Sequence, residues 1–196
     1  MATCLAASSS LAVPAHDSSS LTAAERTKAQ AAIAQAVGLS ALFEGMLVDK
    51  VKLGGTNWIE GAGGRKLLVS ATVRFKSFGN VYCGAAVVDG NLESTTLIDG
   101  PPPIQGCRRI GGVAFVDING DGPAIAQEII VASNRDGSDA PFFTVYLPSK
   151  DGSSFCFSSQ ASDALYGIYP FNAATVQAKL TAEKRRLKVD RFECGR

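Results

Sequence analysis

The chain has 196 residues, of which 46% are hydrophobic and 19% charged, and its formal net charge is +1. That length suits a single domain able to bury a core without help from metal or disulfides. The near-neutral balance gives no global field favouring nucleic acid or an anionic membrane, and no apolar run reaches the ~18 residues needed to span a bilayer.

Residues 3–15 are small and apolar and close on Val13-Pro14-Ala15. Signal peptidase requires small side chains at the −3 and −1 positions, so an export signal cut after Ala15 is expected. The match is incomplete, because no Lys or Arg precedes Arg26 and Met1-Ala2-Thr3-Cys4 is a poor lipobox. Residues 16–21 read as a Ser-rich linker and 22–196 as one domain, with a β-rich core over about 42–160. Thr22-Ala23-Ala24-Glu25 forms a capping box. It predicts an Ala-rich helix to about Val37, stopped by Gly38, with a thin apolar face of Ala29, Ile33 and Val37.

From Leu42 the hydrophobic period changes to two. In 67–75, Leu67, Val69, Ala71, Val73 and Phe75 fall on one face, while Leu68, Ser70, Thr72, Arg74 and Lys76 make a mostly polar second face. Further strand-like runs are 81–88, 95–98, 113–116, 129–132, 142–147 and 155–158. Asp-Gly turns at 89–90, 99–100, 136–137 and 151–152 separate several of them. Gly61-Ala62-Gly63-Gly64 precedes a strand and reads as a hairpin turn, and Pro101-Pro102-Pro103 as a stiff extended segment. Asn172 caps a last helix to about Leu187, with Val176, Leu180 and Leu187 inward. A short strand or tail follows over 189–194. The fold class is mainly β within α+β. It is an antiparallel β-meander or sandwich, or a single propeller-blade-like sheet, with an N-terminal and a C-terminal helix.

Once Cys4 is removed with the signal, Cys83, Cys107, Cys156 and Cys194 remain. An even number in an exported chain fits a disulfide framework. Four cysteines allow three connectivities, of which nearest-neighbour pairing, Cys83–Cys107 and Cys156–Cys194, is preferred. A zinc site and four buried free thiols are the rival readings. Zinc has little support, since C-x-x-C is lacking and the only histidine is His16 at the cleavage point.

The segment carrying chemistry is 116–131. Asp117, Asn119 and Asp121 stand at relative positions 1, 3 and 5, Gly122 at 6 and Glu128 at 12. A chain curling around a small hard cation presents alternate oxygen-bearing side chains inward, and glycine permits the sharp turn. Asp117, Asn119, Asp121, the Pro123 carbonyl and a bidentate Glu128 would supply most of a Ca²⁺ shell; an acidic turn without metal is the alternative. The spacing is that of an EF-hand loop, but its flanks are β-branched and apolar rather than helical. Over about 110–150 the chain resembles the FG-GAP/VCBS type of repeat, where D-x-N-x-D-G lies between two strands and an acid precedes the second. That resemblance implies calcium and gives the acid's role to Glu128. This chain departs from the pattern by about three extra residues within 123–127, and it carries one copy. Asp136 and Asp139 read as ordinary turn residues.

Catalytic machinery is sparse. With His16 alone, Ser–His–Asp and Cys–His mechanisms are excluded, and the glycine-rich 61–64 is no phosphate loop. The expectation is a non-enzymatic, calcium-binding protein of the periplasm or cell exterior with a protein partner. An inhibitor or immunity protein acting on a lytic cell-wall hydrolase exemplifies the class. A calcium-dependent adhesion or glycan-binding module and a carboxylate-based glycoside hydrolase are the alternatives. Ser77-Phe78-Gly79-Asn80-Val81-Tyr82 reads as a strand-to-strand turn. Arg108-Arg109 and Lys184-Arg185-Arg186 read as solvated turn and helix charges, with anion contacts as the rival, and Tyr166, Tyr169 and Phe171 as core packing against the last helix, with an exposed recognition patch beside Pro170 as the rival.

Overall fold

Thr22 opens the first helix through the predicted capping box. The Glu25 amide donates to the Thr22 hydroxyl at 3.2 Å, and the Thr22 amide donates to the Glu25 carboxylate at 2.8 Å. The Thr22 amide and hydroxyl, both donating to the carboxylate at 2.8 Å, hold the Glu25 carboxyl below its ordinary range, because they favour the charged form. The helix, α1, is Ala23–Leu39, and it buries Ala29, Ala32, Ile33 and Val37. The computed structural model describes residues 21–61, 64–76, 81–100, 106–118, 120, 122–132, 138–149 and 154–186. The expected signal, the triple proline, 77–80, Asp136 and 187–196 lie outside that set.

Among the described residues, eight strands follow in two antiparallel sheets. β1 (Val48–Gly61), β2 (Gly64–Phe75), β3 (Val81–Asp89) and β4 (Thr95–Leu97) form the first, in chain order. β5 (Cys107–Val116), β6 (Ala124–Ala132), β7 (Asp139–Pro148) and β8 (Phe155–Phe157) form the second, again in chain order. α2 (Ser159–Ala164) and α3 (Ala173–Arg186) are the last elements among the described residues. Each sheet is thus a meander, and the two pack face to face as a sandwich.

Three apolar layers hold it together. α1 lies on the outer face of the first sheet, over Leu67, Val69, Ala71, Val73 and Phe75. α2 and α3 lie on the outer face of the second, over Ala114, Ala126, Phe143 and Val145. Between the sheets, Leu68, Ala85, Ile98, Ile125 and Tyr146 make the central layer. Burial there pushes the Tyr146 phenol above its ordinary range, since a low-dielectric site disfavours phenolate.

The polar face of β2 is therefore not simply a solvent face. Leu68 and Ser70 are fully buried under the second sheet, and only Arg74 and Lys76 run out past it into water. Ser70 is accommodated by Gln127 of β6, itself fully buried. The Gln127 amide nitrogen donates to the Ser70 hydroxyl at 2.8 Å and to the Gly84 carbonyl at 2.9 Å. Its oxygen accepts from the Thr144 hydroxyl at 2.9 Å. Both N–H groups and the carbonyl are thus bonded, as a group in an apolar layer requires.

Cys83 of β3 and Cys107 of β5 are bonded across the two sheets, with Cα atoms 6.2 Å apart. Cys156 in β8 is also disulfide-bonded; Cys194, its expected partner, lies outside the described residues.

Several strands differ in extent from the reading of the sequence. β1, the longest, escapes it because Gly54-Gly55 interrupts the alternation. Those glycines let the sheets close: a Cβ at Gly54 would stand 3.1 Å from Ile110 Cδ1, and one at Gly55 2.9 Å from Val113 Cβ. Arg108 and Arg109 lie within a strand rather than a turn, since β5 begins at Cys107 instead of Val113. β6 begins at Ala124 instead of Ile129. Its first residues show no apolar–polar alternation because both faces are covered, Ala124 and Ala126 by helices and Ile125 and Gln127 by the first sheet.

Candidate functional site

The early start of β6 changes the acidic loop. The β5–β6 hairpin closes on the pair Val116–Ala124, leaving 117–123 as its tip. Asp117 organises that tip. Its Oδ1 accepts from the Gly120 amide at 2.6 Å, turning the chain back on itself. Gly120 and Gly122 have φ of 80° and 110°, a region that glycine enters without a Cβ clash. Pro123 stands at the tip just before β6. Asn119 and Asp121 fall outside the described residues, and among the described residues no cluster of three or more His, Cys, Asp or Glu occurs.

Glu128 is not brought to this tip. It pairs with Gly112 on one side and Phe143 on the other, four register steps from Val116–Ala124. At ~3.3 Å per residue that is about 13 Å, too far for one carboxylate to share an ion with Asp117. Its role as the twelfth-position ligand is thereby corrected. The helix-loop spacing requires a loop that continues to residue 128, whereas here the chain is already in a ladder from Ala124. Asp139 is remote as well: it starts β7 opposite Ala132 and pairs with Arg108 at 3.0 Å.

The tip is tied to the body from above. Gln177 of α3 donates to the Asp117 carbonyl at 2.5 Å, and Ile118 packs into the layer under α2 and α3. Asn172 caps α3, its Oδ1 accepting from the Thr175 amide at 3.0 Å. One residue earlier, Phe171 stacks on Phe143 at 5.9 Å. α3 therefore links the hairpin tip to the loop joining α2 and α3.

That loop departs from the expected core packing. Phe171 packs as anticipated, and Leu165 is fully buried. Tyr166 and Tyr169, however, are 85% and 93% exposed. Burying their neighbours fixes the loop while both phenol rings point to solvent. Tyr166-Gly167 and Tyr169-Pro170 are the sequence signals for it, since turn residues beside each tyrosine argue against a continuous buried face. Gln127 and Gln177 were less accessible to sequence reasoning, because each is defined by a distant partner.

Among the described residues, groups with displaced proton affinity fall in three places: two neighbouring phenols and two separate carboxylates. Tyr82 and Tyr146 are raised by burial in the core. Glu25 is lowered by Thr22, and Glu183 by hydrogen bonds from Arg186 and Lys179 on an exposed helix face. Two surface clefts each carry one carboxylate: Asp89 beside Lys66 and Phe155, and Glu93 beside Lys28. Comparisons of the chain with protein-family models, with curated proteins and with solved structures find no match.

Proposed function

We propose that the chain is an exported, non-enzymatic binding protein that grips a protein partner through the loop between α2 and α3. The observation that carries this reading is the exposure of Tyr166 and Tyr169 on a loop pinned by Leu165 and Phe171. A tyrosine supplies a large amphipathic contact with few torsions to immobilise, and tyrosine is enriched where binding energy concentrates. The cross-sheet disulfide supports an oxidising compartment such as the periplasm or exterior.

In the same reading, calcium is held at the hairpin tip by Asp117, Asn119, Asp121 and the Pro123 carbonyl, without Glu128. Oxygen donors of this kind suit a hard cation that fills its shell with water. Bound there, the ion would stiffen the tip that Gln177 connects to α3, and through it the aromatic loop. The role of the metal is structural.

A lytic cell-wall enzyme is the first partner class to screen. The expected result is inhibition by the wild type that Tyr166→Ala/Tyr169→Ala loses by at least tenfold, about 1.4 kcal/mol. The unfolding temperature should stay put, because substitutions at exposed sites usually fall within about 0.5 kcal/mol. The same two rings would stack on sugars, which makes a glycan ligand the second reading. Specific glycan-array binding that vanishes in the tyrosine variant, with no protein captured, would establish that reading instead. Unchanged binding of any ligand in the variant would remove the loop from the account.

A further inference from the structure

The total charge near zero conceals a local imbalance at one end of the first sheet. Val51, Leu53, Val73 and Phe75 face α1, so alternation puts Lys50, Lys52, Arg74 and Lys76 on the opposite face. All four are exposed where the second sheet no longer covers the first. Lys50 and Arg74 are directly paired across β1 and β2. Like charges in that relation destabilise a sheet, and none of the four belongs to the ion pairs recorded among the described residues. Glu44 and Asp49 are the exposed acids nearby in the chain.

The same end carries an apolar knob. Between α1 and β1 the chain makes a single 3-10 turn, Ala41–Phe43, followed by Gly45 at φ 76°. Phe43 is buried, its ring 5.4 Å from Phe75 and 4.8 Å from Tyr82, which nails the loop to the sheet end. Around that nail, Leu39, Leu42 and Leu47 are 80%, 57% and 66% exposed, and Met46 is partly exposed. The Leu47 carbonyl accepts from the Lys76 amide at 2.8 Å, so knob and cations are contiguous. Large exposed apolar side chains gathered in one loop mark an interaction site. An apolar projection bordered on one side by cations complements one surface in particular: hydrocarbon beneath anionic headgroups.

We infer that residues 39–47 dip into the interfacial zone of an anionic lipid bilayer while Lys50, Lys52, Arg74 and Lys76 contact its headgroups. The attachment is peripheral and reversible. It uses neither the hairpin tip nor the tyrosine loop, so it stands or falls apart from the proposed binding function.

Co-sedimentation of the full chain with vesicles tests it, in EDTA so that calcium cannot bridge protein and lipid. Vesicles of phosphatidylcholine with about 30% phosphatidylglycerol should bind the protein, pure phosphatidylcholine much less, and ~0.5 M salt should release it. Each cation near such a surface contributes about fivefold. Lys50→Glu/Arg74→Glu should therefore weaken binding by about 25-fold or more, and Leu42→Ser/Leu47→Ser by about tenfold. Both variants alter exposed side chains, and unchanged circular dichroism melts would show them folded. Absence of binding to the anionic vesicles would overturn the inference. So would retention of a soluble polyanion such as heparin with full vesicle binding in the leucine variant, which would make the surface a polyanion site.

Discussion

Gln127→Leu is expected to destabilise the protein by about 3–5 kcal/mol, which lowers the unfolding temperature by roughly 10–15 °C for a chain of this size. Leucine matches the volume but offers no partner to the Ser70 hydroxyl, the Gly84 carbonyl or the Thr144 hydroxyl, each bonded to Gln127 in a dry layer. A buried group left unsatisfied costs about 1–3 kcal/mol, and up to three are affected. The triple variant Gln127→Leu/Ser70→Ala/Thr144→Val should recover much of the loss, because it removes two orphaned hydroxyls together with the amide. Chemical denaturation of the two variants measures both effects. A neutral single variant, or a triple variant worse than the single, would contradict the network.

The second large effect is expected from Cys83→Ala/Cys107→Ala. The bridge spans a sequence separation of 24 and joins one meander to the other. Loop-closure entropy for a loop of that length gives about 3.5 kcal/mol, or roughly 10 °C. Reductant acts on every accessible bridge, including that of Cys156, so the double variant isolates this one. A loss below about 1 kcal/mol in denaturant melts would mean that packing between the sheets is sufficient without the bond.

Local features were legible in the sequence wherever short-range chemistry fixes them. Thr22 and Glu25 announce a helix start and form it. The alternation of Leu67 to Phe75 finds both the strand and its helix-facing side, and nearest-neighbour pairing finds Cys83–Cys107. Features set by the meeting of the two sheets were not legible. Gly54 and Gly55 read as interruptions until Ile110 and Val113 are seen above them. Residues 124–128 lose the strand signal because both faces are covered, and that error lengthened the acidic loop and drew Glu128 into it. Tyr166 and Tyr169 suit either a core or an exposed patch by residue type, and the turns beside them send both rings outward. The hairpin closes at Val116 and Ala124, so Glu128 lies within the ladder and away from its tip.

The claim on which the candidate site rests is that calcium binds this tip through Asp117 and its neighbours and not through Glu128. Thermal unfolding of the wild type, Asp117→Ala and Glu128→Gln, each in EDTA and in CaCl₂ with MgCl₂ as the control, tests it most directly. At ~100 times Kd, calcium adds about 2.7 kcal/mol, a rise of roughly 5–10 °C. The account predicts that calcium-specific rise in the wild type and in Glu128→Gln, and its loss in Asp117→Ala. A wild type indifferent to calcium, or a response abolished by Glu128→Gln, would contradict it.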